Sequence, residues 1–356
     1  MALSKMQRQN IIDSLIREIG HDLFTGTFSV DEFSKSHMLS KQSVYRYLTT
    51  LEAESKIIKQ KNGKNNKYML FCTGYEFKFP LENLSEDVVW NRNIKPLLLD
   101  LPELALKNCN YVFCEMLNNA IDHSEGTEVD ILVLIDSFKV VFAITDDGIG
   151  IFNKIASALQ LEEKRFAILE LAKGKFTTEP ESHTGEGIFF SAKACDAFAI
   201  FSDDLAFTSL SFREADQLRD FKLSVNLMRL PKSSTVVCFS LFREHSISLS
   251  EVFDQYAQDP EEYGFTKTIV PVKLLEYGDP SPTFISRSQA KRLLVRFERF
   301  EIIELDFTGI DEIGQGFADE VFRVFRNRHP NSRIIATNCN SHVKKMINHV
   351  AGPDYA

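Results

Sequence analysis

The sequence lacks almost everything that would assign it to a membrane, a secretory route or a metal-centred scaffold. Nowhere in its 356 residues does an apolar run approach the ~18–20 needed to cross a bilayer. The opening MALSKMQRQN has no apolar stretch of the kind a secretory signal requires, so a cytoplasmic protein with no membrane contact is expected. Six cysteines stand at 72, 109, 114, 195, 238 and 339, with no CxxC pair and no metal-ligand spacing. Reduced thiols are the simplest reading. Neither an internal repeat nor a low-complexity tract interrupts the chain.

What is present suits a globular protein: 44% hydrophobic and 26% charged residues, in a chain long enough for two or three cores. The net charge of -9 is unevenly spread. Residues 1–73 hold 11 Lys and Arg against 7 Asp and Glu, whereas the remainder holds 30 against 43. A basic module on an acidic body directs any polyanion contact to the N-terminus. By pattern the chain divides into a helical module with a hairpin at 1–73, a mixed region at 85–245, an acidic helix plus linker at 246–264, and an alternating strand–helix region at 265–356.

Within the first module, Val44, Leu48 and Leu51 recur at helical spacing and are expected to face a small core. Gln42, Ser43, Arg46, Thr49 and Thr50 then share the exposed face. Lys56–Lys59 and Tyr68–Leu70 read as two strands around a Lys/Asn-rich turn. Between 37 and 73 there are seven Lys and Arg but only two acidic residues, which suits contact with a phosphate backbone. The module resembles a winged helix-turn-helix domain, which implies a second helix in the major groove and a wing along phosphates. Lys41, Gln42, Ser43, Arg46, Lys61 and Lys64 become candidate DNA contacts; packing against another protein is the alternative.

In the second region, 103–124 reads as a helix with Glu115, Asn119 and Asp122 on one narrow face and Cys109, Phe113, Met116 and Ala120 on its apolar side. A carboxylate and an amide one turn apart suit Mg ligation by the amide oxygen and orientation of a nucleophile by the carboxylate. Segments 129–136 and 138–146 alternate like a hairpin that runs into Asp146-Asp147-Gly148-Ile149-Gly150. Glycines at 148 and 150 permit close approach to a flat ring, and a buried carboxylate at 146 suits an adenine amino group. Further on, His183-Thr184-Gly185-Glu186-Gly187 opens a helix whose backbone N–H groups suit phosphate.

EMLNNAIDHS, DDGIGIF and HTGEGIFFS, in that order, resemble the three ATP-site boxes of the GHKL family, which includes histidine kinases, heat-shock-90 chaperones, gyrase and MutL. The likeness spans about 85–245 and implies Mg-ATP binding. Glu115 would be the catalytic base, Asn119 the Mg ligand and Asp146 the adenine reader, with Gly148, Gly150, Gly185 and Gly187 shaping the loops. Segment 152–182 would be the ATP lid, where Lys173, Lys175, Thr177 or Thr178 reaches the γ-phosphate, Lys175 being preferred. Asp122, His123 and Thr184 join the nucleotide-site candidates; His123 reads equally as a helix cap, and His183 as a hinge contact or a surface residue. A winged helix stands where a histidine kinase carries its dimerisation hairpin, so the serine-kinase anti-sigma branch is the more similar.

The third region reads as β-α-β-α-β-α: strand 266–276, a helix opened by Ser286 and Gln289 at capping-box spacing, strand 301–307, helix 315–328, strand 333–338 and helix 341–350. Residues 303–325 resemble STAS domains. Where the family's antagonists carry a phosphorylated serine, this sequence has Gly314-Gln315-Gly316, and Thr308 nearby reads more simply as structural. Asp306, Asp311, Asp319 and Glu320 read as a solvated acidic rim rather than a metal cluster. The fold class expected is therefore an α+β multidomain chain: winged helix, GHKL α/β sandwich, STAS-like β/α domain. The function expected is a DNA-binding regulator switched by Mg-ATP, with a protein partner or a homodimer contact through the STAS-like domain. A serine/threonine kinase acting on a STAS partner and a clamp-type ATPase are the alternatives.

Overall fold

The computed structural model describes residues 4–21, 28–62, 65–176, 185–209, 234–257, 264–277 and 283–352. It is α+β, with three separate sheets among the described residues. Lys64, Thr177, Thr178, His183 and Thr184, all named above as candidates, lie outside the described residues.

Three helices, α1 (Lys5–His21), α2 (Val30–Ser36) and α3 (Lys41–Ala53), precede an antiparallel hairpin of β1 (Ile57–Asn62) and β2 (Asn65–Leu70). Ser40 caps α3 by accepting from the Ser43 amide, so the helix begins where a side-chain acceptor is available. Val44, Leu48 and Leu51 are buried while Gln42, Arg46, Thr49 and Thr50 are exposed, the division their spacing predicts; Ser43, expected on the exposed face, is instead half-buried beside its cap Ser40.

The central sheet has six antiparallel strands in the order β3-β4-β5-β8-β6-β7. These are β3 (Thr73–Pro80), β4 (Glu128–Ile135), β5 (Lys139–Asp146), β6 (Ala197–Ser202), β7 (Leu205–Thr208) and β8 (Thr235–Phe242). Edge strand β3 falls mostly in the stretch that the sequence reading left between two domains; it pairs with β4 from Thr73↔Ile135 to Pro80↔Glu128. On one face Val129, Ile131 and Val133 of β4 join Val140, Phe142, Phe198 and Phe239 beneath α5 (Glu103–His123), and Val89 of the short helix α4 (Glu86–Val89) enters the same core. The opposite face carries Ala143, Ala199, Phe201, Val236 and Cys238. Both faces of β5 and β8 are thereby buried, as central strands require.

Short helices α6 (Ile151–Leu159), α7 (Phe166–Lys173) and α8 (Gly187–Ala194) follow the β4–β5 hairpin. Helix α9 (Leu249–Gln255), in the stretch read as helix plus linker, is more than a connection: Val252 and Tyr256 enter the C-terminal core.

The C-terminal sheet is parallel, ordered β11-β10-β9 from β9 (Lys267–Pro271), β10 (Ile302–Asp306) and β11 (Arg333–Thr337). Strand β9 stops at Pro271, five residues short of the expected end, and tightens into a 3-10 turn over Val272–Glu276; proline has no N–H to continue a ladder. Helix α10 (Arg287–Leu294) opens with the capping box expected of Ser286 and Gln289. A helical run then passes from α11 (Gln315–Asp319) through a π turn (Glu320–Val324) to α12 (Phe325–Arg328), and α13 (Ser341–Ala351) closes the domain. The acidic rim expected here is corrected for two of its members. Asp319 and Glu320 are buried, and Asp319 accepts from both Arg287 and Arg323 at 2.9 Å. Among the described residues no three His, Cys, Asp or Glu side chains gather as a metal site.

Candidate functional site

A cavity of about 320 Å³ lies between α5, the end of β5, the start of β8 and the starts of α6 and α8. That volume is in the lower part of the ~300–1,000 Å³ range of small-molecule pockets. Glu115, Asn119, His123, Asp146, Gly150, Gly185 and Gly187 all line it, so residues from three separated motifs meet around one space.

Helix α5 presents Glu115, Met116, Asn119, Ala120 and His123 to the cavity. At 100° per residue these span an arc from Glu115 round to Ala120. Asp122 lies just beyond the opposite edge of that arc; it is exposed and does not line the cavity, although it shares a narrow face with Glu115 and Asn119. The Asn119 Nδ2 donates to the Glu115 carbonyl at 2.8 Å, which leaves Oδ1 for a ligand.

The two adjacent aspartates at the end of β5 have opposite environments. Asp146 is buried, and burial pushes its carboxyl above the usual carboxylate range, although the amides of Gly148 and Thr235 donate to Oδ1 at 3.0 and 3.4 Å. Asp147 instead accepts from the Glu128 amide at 2.9 Å and from the Thr127 amide and hydroxyl at 2.7 Å. Those bonds bring it down to about 2. Asp147 is thus a brace between the loop after β5 and the turn before β4, and Asp146 is the carboxylate offered to the cavity.

The glycines divide similarly. Gly150 has φ +85° and caps α6, so the left-handed backbone itself calls for glycine. Gly148 does not line the cavity. A Cβ there would run into the Ser124 carbonyl, so its role in this structure is close packing of the 148–149 loop on the end of α5, where Ile149 N donates to Ser124 O at 2.9 Å. A Cβ on Gly187 would collide with the Glu115 carboxylate, and one on Gly185 (φ +74°) with the Phe176 backbone. The start of α8 therefore lies directly against the carboxylate of α5.

Lys173 and Lys175 do not line the cavity. Lys173 is 1% exposed, donates to Glu170 Oε1 at 2.6 Å and to Val295 O at 2.9 Å, and has its ammonium pKa lowered by burial. Lys175 donates to Arg299 O at 3.2 Å and lies over the rings of Phe265 and Phe300. Both cations are engaged by the C-terminal domain, whose carbonyls and aromatic faces lie closer than the cavity.

Lys154, Phe176 and Thr235 are among the lining residues that the sequence reading did not single out. Lys154 Nζ donates to His123 O at 2.9 Å, and it is the one Lys or Arg among the described lining residues. The Thr235 hydroxyl accepts from Ile151 N at 3.0 Å, tying the start of β8 to the start of α6. Only the register Asp146↔Thr235 brings that residue to the site.

A family model described as "STAS-like domain of unknown function (DUF4325)" matches residues 289–344. These residues form part of the C-terminal domain that backs the cavity, and such a domain is compatible with protein interaction. No curated protein matches the chain. No described helix is long and apolar enough to cross a membrane.

Proposed function

We propose that the chain is a regulator that binds Mg-ATP in this cavity, through a site of the GHKL type, and binds DNA through a winged helix at its N-terminus. The observation that carries the reading is the convergence of Glu115, Asn119, Asp146, Gly150, Gly185 and Gly187 on one space. Asp146 would accept the adenine amino proton. Glu115 would orient the attacking water or hydroxyl, and the α8 N-terminus would offer its amides to phosphate.

The donor set suits magnesium. With no cage of carboxylates and histidines among the described residues, a cation held by Asn119 Oδ1 and completed by phosphate oxygens and water is the arrangement Mg favours. When bound, Mg neutralises charge between the phosphates. Asn119 would hold and orient that charge, and Glu115 would hold the proton of the nucleophile.

The DNA reading is supported by the exposed face of α3 and the basic hairpin behind it. Arg46 and Lys61 are exposed, Ser43 accepts from Arg46 at 3.1 Å, and Lys41 pairs with Asp31 at 2.7 Å. Titration calorimetry with ATP and Mg tests the nucleotide half. Binding is expected, with Asn119→Ala weakening it and Glu115→Gln sparing it while stopping turnover. Unchanged affinity in Asn119→Ala counts against the site. Fluorescence anisotropy with duplex DNA tests the other half, with Arg46→Ala expected to bind more weakly.

A further inference from the structure

The wall of the cavity at 174–176 belongs to the central domain by sequence, yet its supports come from the C-terminal domain. Phe176 lines the cavity, and the Arg296 guanidinium lies 5.4 Å from its ring centroid. The same guanidinium donates to Glu170 Oε2 at 3.0 Å and to the Lys175 carbonyl. Just before the wall, the Thr268 hydroxyl donates to Lys173 O at 2.8 Å in a buried position. At Gly174, with φ +80°, a Cβ would meet the Phe265 ring at 2.7 Å and Phe189 at 3.0 Å. Phe189 also lines the cavity and packs against Phe265 with ring centroids 4.5 Å apart.

These contacts form a continuous path. Arg296 fixes Phe176, and the Phe176 backbone occupies the place a Cβ on Gly185 would need. Gly185 in turn lines the cavity beside Gly187 and Glu115. We propose that the C-terminal domain completes the cavity in cis, with Arg296 as the positioning residue for the wall at 174–176. The proposal rests on the nucleotide reading for its ligand but not for its geometry. Arg296 touches no reacting atom; it acts through Phe176 and the Lys175 carbonyl. Undocking of the C-terminal domain then becomes a means of regulating occupancy, because the wall loses its supports when that domain leaves.

Two measurements on the full-length protein test this. Hydrogen–deuterium exchange without nucleotide reads peptides over 166–176, and calorimetry reads binding of Mg with AMP-PNP. Arg296→Asn is suited to the position, since asparagine tolerates its φ of +65°. Thr268→Val removes a different bond to the same wall, and Arg296→Lys keeps the charge against Glu170 without the guanidinium fork. Arg17→Ala, far from the wall, is the control. Faster exchange over 166–176 is expected in Arg296→Asn and Thr268→Val. Affinity should fall about tenfold in Arg296→Asn, the scale of losing an outer support, with partial recovery in Arg296→Lys. Unchanged exchange in the folded variants overturns the proposal, as does faster exchange with unchanged affinity. If the native protein binds no nucleotide, the nucleotide reading falls, and the exchange comparison alone decides whether the C-terminal domain holds the wall.

Discussion

The N-terminal module and the C-terminal domain flank the same central sheet, but they reach it at opposite ends and through different chemistry. At the N-terminal junction Phe138 and Phe242, stacked with centroids 4.6 Å apart, enter the module's core, and buried Lys139 donates to Gly20 O at 2.6 Å. These residues begin β5 and end β8, whose other ends, Asp146 and Thr235, line the cavity. Seven strand steps, about 23 Å, separate the two. At the C-terminal junction the contacts fall directly behind the cavity wall, through buried Glu170 and Lys173, largely buried Arg296 and the ring of Phe265. The strands at the first junction are paired on both sides, whereas the wall at the second is held by side chains of the C-terminal domain. On the proposed reading, a nucleotide in the cavity would meet the C-terminal domain's contacts directly and the N-terminal module only through the length of the sheet.

The largest expected effect comes from removing the anion at the C-terminal junction. Glu170 and Lys173 have side chains 3% and 1% exposed, and Arg296 is 10% exposed. Glu170→Ala leaves two buried cations facing each other. Loss of about 3–5 kcal/mol is expected from chemical denaturation, the usual result of breaking a buried ion pair from one side. At the other junction Lys139→Met should cost less, about 1–3 kcal/mol, because the acceptor it deprives, the Gly20 carbonyl, is neutral, although buried Asp136 also loses a nearby cation. Reversal of that order, measured under the same conditions, would break the comparison.

Much of this architecture was legible locally. The buried faces of α3 and α5 and the capping box at Ser286 and Gln289 follow from spacing within one turn or two. Strand β3 was missed although Tyr75, Phe77 and Phe79 alternate with Glu76 and Lys78: the alternating run is short, and of it Phe77 and Phe79 pack on the core. Within the candidate site, the lining roles of Glu115, Asn119, Asp146 and the glycines at 150, 185 and 187 were readable from motif order. Asp122 and Gly148 were included because a helical face and a glycine motif say nothing about which side the cavity lies on. Thr235 was invisible, since only strand register delivers it. Lys173 and Lys175 were assigned by nearness along the chain, while the acceptors that engage them lie 122 and 124 residues further on.

A smaller effect separates the two junctions by pH. His245, where the chain leaves β8 for the C-terminal domain, has Nδ1 2.9 Å from Asp196 Oδ2, and Nε2 2.8 Å from Asn108 Nδ2 and 2.9 Å from Ile247 O. The bond to Asp196 raises its imidazole above the ordinary 6.5 despite burial. A raised histidine contributes stability that is fully present below 6.5 and is lost as pH rises through the raised value. Thermal unfolding across pH 5–9 should show that loss in the native protein and a flatter profile in His245→Gln. Equal slopes would remove His245 from the account.

The smallest effect is expected at the surface of the N-terminal junction, where Arg17 pairs with Glu244. Their side chains are 49% and 56% exposed, so water screens the attraction and the two long side chains lose freedom in making it. Arg17→Ala should cost about 0.2–1 kcal/mol, and that cost should shrink further as salt is added. The measurement is informative because it isolates the ion pair joining helix α1 to the end of the sheet from the apolar contact beside it. A loss of about 2 kcal/mol or more at low salt, beyond what an exposed pair contributes, that falls steeply as salt is added would mean that charge, rather than the Phe138–Phe242 stack, seats the module. The two junctions would then differ in place but no longer in kind.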